Sequence, residues 1–255
     1  MLTATFFRRA TPYLALLFPF TLAACDDAPS DPGPDAGSPK HFYGVDAASR
    51  LVSFDLDSLG TTTSVPLSGL EAGEYILAMD TRPSTGVVYA LGSTSRIYTI
   101  DLETGACLQI GGQLAPPITA NAAGLDVNPV ADRIRLQTVN AENLRIDPTT
   151  GAITGTDTAL TFIAGDVNQG STPQVAGDAY TIPGDAGTTV LYAIDSNLDV
   201  LTTSTNPNAG ILTTIGPLGV NVTSALGFDI ARTPTGDVAY AVMSPGALVS
   251  TLYTI

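Results

Sequence analysis

The sequence predicts an all-β fold: a β-propeller of about five four-stranded blades, cut short in its last blade. Three observations predict it. First, one short phrase recurs at Phe42-Tyr43-Gly44-Val45, Val88-Tyr89-Ala90-Leu91, Ile134-Arg135-Leu136-Gln137, Leu191-Tyr192-Ala193-Ile194 and Ala239-Tyr240-Ala241-Val242. The second residues of these phrases lie 46, 46, 57 and 48 positions apart, a period typical of one supersecondary unit repeated in a stack or a ring. Second, only 13% of the 255 residues are charged, and there are 25 Gly and 18 Pro, a strand-and-turn composition. Third, each repeat holds four short apolar runs separated by turn signals, which is the content of one propeller blade. A stacked β-solenoid is the rival, but its repeats are usually shorter.

Within a repeat the elements follow in order. The first strand ends in Asp: Ile76-Leu77-Ala78-Met79-Asp80, Ala123-Gly124-Leu125-Asp126 and Leu226-Gly227-Phe228-Asp229. A Pro-containing turn comes next, as at Arg82-Pro83, Asn128-Pro129 and Thr233-Pro234. The Tyr-bearing strand follows, and then a third strand such as Arg96-Ile97-Tyr98-Thr99-Ile100. The next turns, Asp101-Leu102-Glu103-Thr104-Gly105 and Asp147-Pro148-Thr149-Thr150-Gly151, begin with Asp to accept backbone N–H bonds and end with Gly to supply positive φ. A fourth strand, as at 107–110, closes the unit. The last repeat stops in mid-blade at Ile255, about 20–30 residues short on the repeat length. An unpaired edge between the first and last blades is therefore expected.

The N-terminus reads as an address. Arg8 and Arg9 precede a short apolar run, Tyr13 to Leu22, which is too short to span a bilayer. Leu22-Ala23-Ala24-Cys25 resembles the lipobox of bacterial lipoproteins, which implies a signal peptide over 1–24 and a lipidated Cys25. Residues 25–40 carry Pro, Gly, Asp and Ser and read as a solvated tether, leaving 41–255 as the propeller. The expected location is the cell envelope, on its periplasmic or outer surface, with membrane attachment through the lipid alone.

Charge excludes one class of partner. The formal net charge is −14, and without residues 1–24 it is −16. There is no basic stripe, so nucleic acid is not an expected partner. The lone His41 and lone Lys40 leave no material for a His-rich metal centre or for a hydrolytic triad that bypasses His41. Cys107 lies in an apolar phrase and reads as a small buried hydrophobe.

Residues 123–151, AGLDVNPVADRIRLQTVNAENLRIDPTTG, resemble the signature of a bacterial family known as domain of unknown function 4394. The phrases around Asp166-Val167-Asn168-Gln169-Gly170, Asn206-Pro207-Asn208 and Ile215-Gly216-Pro217 resemble it too, and the likeness spans about 41–255. The resemblance implies propeller-like secreted or envelope-bound proteins and no established reaction.

Three candidate sites follow. Arg135 takes the slot where the other repeats carry Tyr, Arg133 shares its strand face, and Arg145 lies on the next strand. They read either as an anion-binding set of guanidinium forks or as an internal Arg–Asp network fixing one blade to the next, with Asp126, Asp132, Asp147 and Asp166 as available counter-charges. On the ligand reading, Arg135→Tyr removes binding with little change in stability. The insert that lengthens one spacing carries Asp166 and Asn168, which join the ligand-binding candidates and form a partial calcium-loop pattern. Asp80, Asp126 and Asp229, at matching strand ends, either ring the propeller axis and hold a cation such as Ca²⁺ or cap the adjoining turns. The expected function is binding or scaffolding without catalysis, toward a small-molecule, glycan or protein ligand. The alternative is a calcium-dependent, lactonase-like hydrolase built on the axial Asp ring.

Overall fold

A computed structural model of the chain describes residues 15–16, 20–24, 41–184, 187–246 and 249–255. Five small sheets carry the strands. The second blade runs Ile76–Arg82, Val87–Gly92, Arg96–Ile100 and Cys107–Gln113, each strand antiparallel to the next. The third runs Ala123–Asn128, Arg133–Thr138, Asn143–Ile146 and Ile153–Thr156. The fourth runs Val175–Tyr180, Leu191–Asp195, Val200–Ser204 and Ile211–Pro217, with Thr161–Phe162 added in parallel at its outer edge. The innermost strands of successive blades touch in a closed cycle, so the sheets stand radially about one axis.

The repeated phrase marks one structural position. Tyr43, Tyr89, Arg135, Tyr192 and Tyr240 all lie on the second strand of a blade, opposite Ala23, Asp80, Asp126, Ala179 and Asp229 of the first. The blade turns form as their chemistry requires. Asp101 Oδ1 accepts the N–H groups of Glu103 and Thr104 at 3.0 and 2.8 Å, and Asp147 Oδ1 accepts that of Thr149 at 2.8 Å.

Gly151 has φ of +68°, and a Cβ there would lie 2.2 Å from the Ile110 carbonyl oxygen of the second blade. Backbone handedness and close approach both demand Gly. Gly151→Ala is expected to destabilise by about 2 kcal/mol or more, read as a lowered urea midpoint with unchanged m-value.

The expected open edge is not what the structure shows. Phe20–Ala24 is the innermost strand of the first blade, beside His41–Asp46, Arg50–Asp55 and Thr62–Pro66. Ala15–Leu16 is the outermost strand of the fifth, beside Val249–Thr254, Gly236–Gly246 and Leu226–Thr233. The unpaired N–H and C=O groups of His41–Asp46 and Val249–Thr254 need partners. The apolar segment read as a leader supplies them. Among the described residues no helix is long and apolar enough to cross a membrane.

Apolar clusters fill the seams between most neighbouring blades. Leu91, Ile97, Leu125, Ile134, Leu136 and Ile146 join the second to the third, while Phe42, Phe54, Tyr240 and Val242 join the first to the fifth. Cys107 is buried, and burial pushes its thiol up to about 11, as suits an inert core residue. The seam between the third and fourth blades differs. One face of the third blade is apolar through Leu125, Val127, Ile134 and Leu136. The alternate residues Asp126, Arg135, Gln137, Asn143 and Arg145 present polar groups toward the fourth blade.

Candidate functional site

The polar seam gathers the three arginines. Arg135 is 4% exposed and occupied on all sides. Its Nη1 donates to Asp157 Oδ2 at 2.7 Å and Asn143 Oδ1 at 2.9 Å. Its Nη2 donates to Asn208 Oδ1 at 2.6 Å and its Nε to the Tyr180 hydroxyl at 3.3 Å. Asn208 and Tyr180 belong to the fourth blade or its loop, so this guanidinium ties two blades together. Asn143 Nδ2 adds a bond to the Pro207 carbonyl at 2.8 Å.

Arg145 closes a two-point fork on the same Asp157, with Nε and Nη2 donating at 2.9 and 2.8 Å. One carboxylate thus serves two guanidiniums. Burial pushes Asp157 up, but the hydrogen bonds from Arg145 and Arg135 outweigh it and hold it below the ordinary carboxylate range. Arg133 reaches Asp147 at 3.5 Å.

The counter-charges expected from sequence are otherwise placed elsewhere. Asp132 pairs with Arg82 of the second blade, whose hydrogen bond lowers its pKa. Asp126 lies nearer the axis. Asp166 closes the insert by accepting the Asn168 N–H and both the N–H and hydroxyl of Thr214.

A cavity of about 260 Å³ opens on this seam. Arg133, Arg135, Arg145, Tyr180, Asn206 and Asn208 are among its walls, and no acidic side chain is. The side chains of Arg133 and Arg145 are 40% and 37% exposed, so two guanidiniums reach it from solvent while Arg135 backs it. Asp166 and Asn168 do not line it; Asn168 Nδ2 is engaged by Thr214 Oγ1 at 3.0 Å. Cys25 lies outside the described residues.

Sequence reasoning missed Asp157, Tyr180 and Asn208. Asp157 follows the fourth strand of its blade with no motif around it, and it meets Arg135 only through the fold. Asn208 sits in the phrase Asn206-Pro207-Asn208, which was visible without any sign of what it faced.

The axial aspartates form a second centre. Ligand oxygens of Asp80, Asp126 and Asp229 all lie within 4.8 Å of one another, and all three residues are buried. In the third blade Asn128 Oδ1 caps the turn, accepting from Val130 and Ala131, and Asp229 Oδ1 accepts the adjacent Ile230 N–H at 2.6 Å. Asp80 Oδ2 accepts the Val127 N–H of the next blade at 2.8 Å, and Asp126 Oδ2 accepts the Tyr180 N–H of the one after at 3.0 Å. Innermost strands leave one edge facing the axis, and these carboxylates satisfy it. Asp178 of the fourth blade lies beside them, a residue that sequence reading missed; it stands one residue before Ala179, which faces Tyr192 in the slot that Asp80 and Asp126 hold in their blades.

The fold has counterparts among solved structures. The chain is similar to the Myxococcus xanthus glutaminyl cyclase, at 13% identity and TM-score 0.56, covering 96% of both chains. It is similar to a Bacteroides thetaiotaomicron protein of unknown function at 13% identity and TM-score 0.57, over 85% of this chain and 57% of that one. An auxiliary nutrient binding protein from Bacteroides ovatus matches at 15% identity and TM-score 0.50, over 84% of this chain and 57% of that one. The chain therefore spans little more than half the length of the two Bacteroides proteins. These likenesses concern the fold alone. No curated protein matches the sequence. Residues 50–255, which hold the five-blade repeat from its first blade onward, match the family described as Domain of unknown function (DUF4394), and the chain belongs to it.

Proposed function

We propose that this protein is a lipid-anchored envelope propeller that binds a small carboxylate-bearing ligand between its third and fourth blades and performs no chemistry on it. One observation carries the reading. In a chain of net charge −14, a 260 Å³ cavity is walled by three guanidiniums and no acid. Guanidiniums match carboxylates in charge and hydrogen-bonding geometry, and the donors that Arg133 and Arg145 keep beyond their contacts with Asp147 and Asp157 select an anion from solution. Of the cavity's walls none is His, Cys, Ser or a carboxylate, and burial raises the Tyr180 hydroxyl away from neutrality. That leaves no group poised for acid–base or nucleophilic work. The Bacteroides ovatus protein of similar fold is described as an auxiliary nutrient binding protein, which is compatible with this role.

The test is calorimetric titration with glucuronate and with glucose, which differ by one carboxylate. Glucuronate is expected to bind at least tenfold more tightly, since an Arg–carboxylate bond contributes about 1.5–3 kcal/mol. Arg145→Gln is expected to abolish that preference while shifting the melting temperature little, because a part-exposed ion pair contributes about 0–1 kcal/mol. Equal responses to both sugars contradict the reading.

The anchor is tested separately. Cleavage ahead of a lipidated Cys25 removes residues 1–24, and with them Ala15–Leu16 and Phe20–Ala24, which the unprocessed chain uses as strands. The membrane-bound form is therefore expected to begin at Cys25 by mass, and Cys25→Ala to release it. A membrane-bound form that retains residues 1–24 contradicts the lipoprotein reading.

The hydrolase alternative requires a substrate to reach the axial carboxylates. Asp80, Asp126 and Asp229 are at most 8% exposed, which leaves their carboxylates out of reach of a lactone-sized substrate.

A further inference from the structure

Three blades send a carboxylate from the matching strand position toward the axis. Asp80, Asp126 and Asp229 bring oxygens within 4.8 Å of one another, a span that one ion can bridge. Calcium–oxygen distances of about 2.3–2.6 Å place ligand oxygens on opposite sides of the ion about 5 Å apart. Asp178 supplies an independent sign of a ligand. It is 1% exposed, and neither of its carboxylate oxygens has a hydrogen-bond partner among the described residues. Its Oδ1 occupies the space that a Gly124 side chain would fill, at 2.7 Å from that Cβ position and on the same strand face as Asp126. Its charge is felt by both Asp80 and Asp126.

Such a group is costly as it stands. A buried carboxylate without donors loses its hydration and gains nothing in return. The one charged side chain that offsets Asp178 is Arg135, which is already engaged by Asp157, Asn143, Asn208 and Tyr180. A divalent cation among Asp80, Asp126 and Asp229 ligates these three and offsets the charge of Asp178 beside them.

We infer that Asp80, Asp126 and Asp229 hold one calcium ion on the propeller axis, with the Asp178 carboxylate adding negative charge beside them, as a structural pin between the second, third and fifth blades. Oxygen-only donors and the absence of His, Cys or Met among them select a hard cation over zinc or copper. Burial of the carboxylates makes the ion inaccessible to substrate, so its work is mechanical. None of these acids comes from the first blade, so the site survives loss of residues 1–24.

The test uses the full chain, stripped with EDTA and dialysed into metal-free buffer. Elemental analysis after return to micromolar calcium is expected to find about one calcium per chain. Saturating calcium is expected to raise the melting temperature by about 5 °C or more. Asp178→Asn, an isosteric change, is expected to weaken calcium binding at least tenfold. Asp166→Asn, in the insert that also resembles a calcium loop, is expected to leave it unchanged. Four outcomes overturn the inference: no retained calcium, no melting shift, equal stabilisation by magnesium, or loss of calcium binding in Asp166→Asn alone. An absence of both ion and shift means that the hub acids share protons instead.

Discussion

Asp157→Ala is expected to lower stability by about 3–5 kcal/mol, read by urea unfolding at neutral pH. The side chains of Asp157 and Arg135 are 7% and 5% exposed, and Asp157 is the carboxylate that Arg135 holds. Removing it leaves a guanidinium buried without a counter-charge, and the cost is that of an orphaned charge more than of a lost contact. The double variant Arg135→Met with Asp157→Leu is expected to recover much of the loss, because well-packed apolar pairs often replace a buried ion pair at little cost. The pH dependence has a definite sign. A carboxyl held below its unfolded value contributes stability that is present above that value and disappears as pH falls through the folded one. The gap between wild type and Asp157→Ala is therefore widest near neutrality and narrows below about pH 4. A gap independent of pH contradicts the pairing.

Leu136→Ala is expected to cost about 2–5 kcal/mol, the range for emptying a well-packed site. Leu136 is fully buried on the second strand of the third blade, in the cluster that also holds Leu91, Ile97 and Leu125. Its truncation opens a void between two radial sheets whose backbones are held by their own ladders, so collapse of the void is limited. The change points away from the arginine seam, so glucuronate affinity is expected to stay within twofold. A stability loss under about 1 kcal/mol means that the second and third blades do not pack through this cluster.

The ring was legible because its signal is periodic. Tyr43, Tyr89, Tyr192 and Tyr240 share one structural position, and Arg135 stands in the same slot, so a count of spacings recovers the blades. Matching strand ends likewise brought Asp80, Asp126 and Asp229 to one place. Partners that owe their position to the closing of the ring were not legible. Asp157 meets Arg135 across 22 residues and Asn208 meets it across 73, with no repeat to relate them. Asp178 escaped because it precedes the repeat's Asp slot by one residue: Ala179 faces Tyr192 where Asp80 and Asp126 face Tyr89 and Arg135. Closure of the first and fifth blades was misread because strand pairing asks only for extended apolar segments, and Ala15–Leu16 and Phe20–Ala24 qualify as well as any repeat.

The three arginines of the third blade have separate tasks: Arg135 holds the seam, and Arg133 and Arg145 meet the ligand. The most direct measurement compares glucuronate affinity and urea stability in Arg135→Met and in the double variant Arg133→Gln with Arg145→Gln. The double variant is expected to lose at least tenfold in affinity with stability within about 1–2 kcal/mol of wild type, and Arg135→Met to lose several kcal/mol of stability. Unchanged glucuronate binding in the double variant contradicts an anion site on this seam.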